Sequence, residues 1–369
     1  MNLHLTSTSA GTIIGAFLKS TVLIGAASAV LLISGCATQA PQVEEVKKEP
    51  EQMVWPLPPE QPRVRYLGDL SEMKVPEKKK GLRDILLGEE EDVQISMLAK
   101  PYGVFSDSKG RVFVADTGIA GIVVFDTNQN NTAAVWGTSG AGKIAKPTGV
   151  TGDAQGNVYV SDPLNNRIVM FDSEGEYVNA FGGKEVFDWC GGLVFNDQAQ
   201  KLYVVDTKKH QVIVFDKDGK IEFTIGENGT DPGYFNFPTN VAVDANGRIY
   251  VSDAMNFRVQ VFEMDGTYVN HFGENGQRVG DFHRLKGVGV DQEGHIYAVD
   301  SSFQNFQVFN PQGQLLLYVG QGGSGAPGSF AIPAGIHVDK NNRIFVADQY
   351  NRRIQMFEFL GSEGVVDIE

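Results

Sequence analysis

"NVAVDANGRIYVSDAMNFRVQVFEMDGTYVNHFG", residues 240–273, contains four short apolar runs. "NVAVD", "RIYVSD", "RVQVFE" and "TYVNHFG" are each five to seven residues long and rich in Val, Tyr and Phe. Gly, Asn and Asp bound them, which are strand and turn signals. A lone four-stranded meander leaves two edges unpaired and two faces to bury. Something of matching shape must pack against it.

The rest of the chain supplies copies. The second run recurs as "VFVAD" ending at Asp116, "VYVSD" at Asp162, "LYVVD" at Asp206, "IYVSD" at Asp253, "IYAVD" at Asp300 and "IFVAD" at Asp348. The intervals are 46, 44, 47, 47 and 48 residues. Four strands in such a period make one propeller blade, so six copies predict an all-β, six-bladed β-propeller of four-stranded antiparallel blades. The fourth strand ends in Gly137, Gly182, Gly226, Gly273 and Gly320. No such Gly follows the last repeat, whereas "RVRYLGDL" near the start carries Gly68. A strand at about 63–68 is therefore expected to complete the last blade and close the ring, with the C-terminal "VVDIE" as the alternative outer strand.

The residues "PTGV…VYVSDPLNNRIVMF" and "PTNV…IYVSDAMNFRVQVF" resemble the NHL repeat family of six-bladed propellers, over residues 63 to about 360. With the N-terminal features below, the likeness extends to a subgroup of bacterial envelope lipoproteins. The resemblance implies a propeller domain, residues 63–369, whose ligand face carries the second-to-third and fourth-to-first strand loops. One of those loops is longer than the others and makes an insertion, residues 69–100. Within it "EKKKGLRDILLGEEED", residues 77–92, has Leu82, Ile85 and Leu86 at helical spacing, a candidate lid or docking helix over the ligand face.

Residues 20–35 are apolar and small, follow Lys19 and end in "LISGC". This reads as a signal peptide, residues 1–35, with Cys36 as the acylated lipobox cysteine. Ala37 rather than Asp then favours the outer membrane. Residues 36–62 are rich in Pro and charge without periodicity, a tether. Its end, "WPLPPEQPR", is expected to dock, because Trp55 is costly to leave exposed.

Formal net charge is −14, which disfavours nucleic acid as a partner. Cys190 is the one other cysteine, either a buried small residue or a thiol at the channel mouth. The lyases that share the repeat use several channel histidines, and six-bladed lactonases use carboxylates and amides. Here the corresponding inner-strand positions are Phe105, Thr151, Val194, Ala242, Gly289 and His337, of which only His337 titrates. No catalytic residue, metal ligand set or cofactor is assigned. A channel metal belongs to the competing reading, a propeller hydrolase or lyase.

The six strand-end aspartates, Asp116, Asp162, Asp206, Asp253, Asp300 and Asp348, read as scaffold, since a feature repeated in every blade serves the blade. Arginine five residues later recurs only as Arg167, Arg258 and Arg353. The first and third turns are acidic, and the opposite face collects Lys and Arg. The candidate binding face comprises Arg167, Arg258, Arg353, Lys286, His337, Tyr102, Thr148 and Thr239. The expected protein is a membrane-anchored extracytoplasmic binding or scaffold module, with an envelope protein or an anionic ligand as partner.

Overall fold

The computed structural model describes residues 53–74, 94–129 and 132–361. They form six antiparallel sheets of at least four strands, set around a ring. Blade 1 runs Pro101–Ser106, Arg111–Asp116, Gly121–Asp126, Thr132–Trp136 from the axis outward. Blades 2 to 5 repeat that order, with inner strands Gly149–Gly152, Cys190–Asn196, Pro238–Val243 and Leu285–Val290. Each inner strand packs against its counterparts on both sides, blade 6 against blade 1 included, so the ring is closed.

Blade 6 takes its strands from both ends of the described chain. Pro333–Val338, Arg343–Asp348 and Arg353–Phe359 are followed outward by Val64–Leu70, paired antiparallel with Arg353–Phe359. The expected N-terminal closure is observed, but its glycine register is not. In blade 3, Ile225 pairs with Val212 and Gly226 follows. In blade 6, Leu70 pairs with Ile354, so the equivalent position is Ser71. Gly68 sits instead at a bulge opposite Met356.

The difference has a steric cause. A Cβ on Gly226 would lie 2.3 Å from the Phe235 ring, because the next loop folds an aromatic residue back onto the strand end. Gly68 meets no such ring. Its nearest neighbour would be the Met356 methyl at 3.8 Å.

Val54–Trp55 adds a fifth strand outside Val64–Leu70. Trp55 packs edge-on against Phe357, ring centroids 5.6 Å apart. The docking expected of Trp55 is present, and the propeller extends upstream of residue 63 into the stretch read as tether. The insertion begins and ends as a ribbon, Glu72–Lys74 paired with Gln94–Ser96. The helix expected at 77–92, the "VVDIE" segment, and the signal peptide with Cys36 lie outside the described residues.

The cores lie between blades rather than within them. Phe113 and Ala115 of blade 1 share a cluster with Val150 and Val160 of blade 2, and five further clusters repeat this around the ring. Alternation along each strand sends successive side chains to the two neighbouring blades. The edge of each inner strand is left facing the axis, and that geometry makes the channel.

Candidate functional site

The channel holds a cavity of about 480 Å³. Its walls run from Gly103, Gly149, Gly192, Asn240 and Gly335 to the first turns of the blades, at Asp107, Asp153, Asp197 and Asp339. It therefore opens on the turn face, opposite the loop face that was expected to bind. At the loop-face end the strands close to a waist. A Cβ on Gly103 would lie 2.9 Å from the Thr148 carbonyl oxygen, and one on Gly287 2.7 Å from that of Ala334. Glycine inside a strand marks such a close backbone approach.

His337 lies on the cavity side of the waist, apart from the arginines with which it was grouped. Its ring is tilted against Phe105, centroids 5.0 Å apart, and it keeps part of its surface open to the channel. Burial lowers its pKa to about 4, against the opposing pull of Asp339, so it is neutral at physiological pH. Its Nε2 and the Ser106 hydroxyl are buried without a protein partner. Among the described residues, no three His, Cys, Asp or Glu side chains come together as a metal site.

The turn aspartates at the cavity mouth are bound up in their own turns. Asp107 accepts from the Lys109 and Arg111 amides at 2.9 Å and from Arg111 Nε at 2.7 Å. Asp153 accepts from the Asn157 amide at 2.8 Å and the Tyr159 hydroxyl at 3.0 Å. These carboxylates rigidify a turn, the ordinary use of Asp at such a position.

The strand-end aspartates on the loop face are all fully buried. They follow two patterns that alternate around the ring. In blades 1, 3 and 5 the carboxylate takes backbone donors alone. Asp300 accepts from the amides of His283 (2.7 Å), Arg284 (2.8 Å), Ser302 (2.8 Å) and Phe303 (3.0 Å). In blades 2, 4 and 6 an Asn and an Arg take part. Asp253 accepts from the Asn236 amide at 2.7 Å, Asn256 Nδ2 at 2.8 Å, and Arg258 Nε and Gln260 Nε2 at 2.9 Å. Burial pushes the Asp253 and Asp348 carboxyls up, while these donors favour the charged form. Both patterns pin the loop entering a blade to the turn between its second and third strands.

Arg258 and Arg353 do not belong to an open binding face. Their side chains are 8% and 6% exposed. The Arg353 guanidinium also reaches Asp69 of the closing strand at 2.7 Å and the Ser329 carbonyl at 2.6 Å. Only Arg167 keeps an exposed part. Its Nε stands 3.6 Å from Asp162, and its Nη2 donates to the Lys143 carbonyl at 2.6 Å.

Two further candidates are also engaged. The Thr148 hydroxyl donates to the Cys190 carbonyl at 3.2 Å, and that of Thr239 to the Lys286 carbonyl at 2.8 Å, each stapling one blade to the next. Tyr102 and Lys286 are half-buried beside them. Cys190 is buried, and burial with two nearby carboxylates pushes its thiol up to about 12, so it is no reactive thiol.

Sequence reasoning missed the side chains that do protrude there. Leu164, Met255 and Tyr350 are 57%, 53% and 63% exposed. Each stands two residues after its strand-end aspartate, in the alternate blades that carry Asn and Arg. The recurrence of D-x-(apolar)-N in "DPLN", "DAMN" and "DQYN" was the available signal. Beside them Lys146 and Lys208 lie over the Trp189 ring, 5.4 and 4.8 Å from its centroid, and Lys100 lies 5.8 Å from that of Tyr350.

A family model described as the NHL repeat matches residues 235–262, and one described as a 6-bladed beta-propeller matches residues 194–248. Among curated proteins there is no match. Virginiamycin B lyase from Staphylococcus aureus, solved with quinupristin, aligns at TM-score 0.53 and 14% identity, over 73% of this chain and 83% of that one. A gluconolactonase from Xanthomonas campestris aligns at 0.54 and 15% identity, over 80% and 98%. An auxiliary nutrient binding protein from Bacteroides thetaiotaomicron aligns at 0.56 and 16% identity, over 71% and 69%. At such identities the likeness concerns the fold. The chain is a six-bladed β-propeller, and one stretch of it, residues 235–262, matches the NHL repeat.

Proposed function

We propose that the protein is a lipid-anchored, extracytoplasmic binding propeller whose partner meets the loop face. The observation that carries this reading is the set Leu164, Met255 and Tyr350. These are exposed apolar side chains on turns fixed by buried aspartates, with lysines between them. Rigid loops that present apolar and cationic groups suit recognition, because little ordering entropy is lost on binding. A nutrient binding protein of the same fold is consistent with this role.

The anchor rests on the lipobox-like end of residues 20–36 at Cys36, and Ala37 rather than Asp favours the outer membrane over the inner. An envelope protein or an anionic ligand remains the partner class, and nucleic acid is not. The competing reading, a channel hydrolase or lyase with a metal, has one titratable side chain to build on among the inner-strand residues that line the cavity, His337.

Two measurements test the proposal. Cys36→Ala should move the protein from the membrane to the soluble fraction, and its retention there overturns the anchor. A photo-crosslinker at residue 164, 255 or 350 should yield adducts in cells while one at Ser108 on the turn face does not. The reverse pattern overturns the loop face.

A further inference from the structure

The loop face is a positive pole on an acidic protein. Among the described residues, the segments entering the inner strands and the turns between second and third strands carry more cations, Lys100, Lys146, Lys208, Arg284, Lys286 and Arg352 among them, than acids, which are Glu72, Glu185, Asp188, Glu227, Asp231, Glu274 and Asp281. The whole chain is −14, so the remaining surface is strongly negative. Such a molecule approaches an anionic surface with this face forward, because every other orientation is repelled. Glu185, Asp231 and Glu274 stand further out, nearer the ends of the outer strands, and Glu274 is paired with Arg278.

The protruding groups narrow the choice of anionic partner. Rings that stack on sugars present open faces, whereas Trp189 and Tyr350 have ammonium groups over theirs. A stable protein interface is built on a contiguous apolar centre. Here Leu164, Met255 and Tyr350 come from alternate blades, so they stand a third of a turn apart with cations between them. Phe237 adds a fourth exposed apolar group. Apolar and aromatic tips separated by Lys and Arg match the boundary of an anionic bilayer, where tips enter the headgroup level and cations meet phosphates.

We infer that the loop face docks on an anionic phospholipid surface, with Leu164, Met255 and Tyr350 inserted at the headgroup level. This deepens the proposed loop-face reading and does not depend on the lipid anchor. In this orientation the channel cavity opens away from the membrane.

The test uses residues Glu51–Glu369, a compact unit that contains the closed ring and all six cores, so that Cys36 takes no part. Flotation with vesicles of phosphatidylcholine containing phosphatidylglycerol should carry the protein, and pure phosphatidylcholine should not. Lys100→Gln and Lys208→Gln should each weaken binding about fivefold. Combining Leu164→Ser, Met255→Ser and Tyr350→Ser should abolish it without changing the thermal midpoint. A polarity-sensitive dye at Met255→Cys should shift to the blue on the anionic vesicles and one at Ser108→Cys should not, the buried Cys190 staying unlabelled. Failure to bind at low salt, or binding that the triple variant retains, overturns the inference. If vesicles fail while crosslinkers at 164, 255 or 350 capture an envelope protein, the lipid surface is wrong and the loop-face reading stands. If both fail, both fall.

Discussion

Gly335 of the last inner strand lies so close to Tyr102 of the first that a Cβ on it would sit 2.4 Å from the Tyr102 carbonyl oxygen. The obstacle is backbone, which cannot rotate aside, and it lies at the joint where the ring meets itself.

Gly335→Ala should therefore destabilise the protein by about 1–3 kcal/mol, the usual cost of overpacking. Gly289 lies on the same channel wall, and its Cβ would make ordinary contacts of 3.4 Å or more. Gly289→Ala should change stability by less than about 0.5 kcal/mol. Chemical denaturation of the two variants measures the contrast.

The three arginines should separate. Arg258→Ala and Arg353→Ala each leave a buried carboxylate short of its cation and should lose about 3–5 kcal/mol. Arg167→Ala, which removes a partly exposed side chain 3.6 Å from a buried Asp162 already held by the Ala145 and Lys146 amides and Asn165, should lose about 1 kcal/mol. Equal losses at all three would show that burial does not govern them.

Two histidines should shape stability against pH from opposite sides. His337 has a folded pKa near 4, below its unfolded value near 6.5, so the unfolded state binds the proton first. Stability from this group is lost as pH falls from about 6.5 to 4, by no more than about 3 kcal/mol. The hydrogen bond to Asp291 raises the His295 pKa, so its contribution is full below about 6.5 and lost as pH rises through the folded value. His337→Gln should flatten the acid limb of the profile and His295→Gln the alkaline limb.

Trp55→Ala should cost about 2 kcal/mol through lost apolar contact with Phe357, although Trp55 lies outside every repeat. A thermal melt unchanged from the parent would mean that the added strand Val54–Trp55 contributes nothing to the ring.

Much of this architecture was legible in the sequence. The six aspartates and their spacing gave blade number and strand order, because a repeat must bury the same faces each time. The closing strand was legible, but its register was not, since Gly68 matches Gly226 as a letter while the ring that requires Gly226 comes from Phe235, outside the strand. The waist left a trace in Gly103, Gly149, Gly192, Gly287 and Gly335, each inside a strand. The fate of the arginines was not legible. Burial of Arg258 depends on carbonyls of Asp231 and Tyr234 in a loop 24 or more residues upstream, and pattern alone does not place them. Nor does alternation along a strand say which end of the channel is pinched.

Pairing Val64–Leu70 with Arg353–Phe359 makes synthesis order matter. The first of these strands leaves the ribosome nearly three hundred residues before its partner. Until the partner arrives, blade 1 lacks the apolar contact of Ile354, and blade 5 lacks that of Phe357 and Phe359. A product truncated before Pro333, which lacks all of blade 6 but its N-terminal strand, is thus not a smaller propeller. It is an open arc with two raw apolar flanks and an orphan strand, which directs it to self-association or proteolysis.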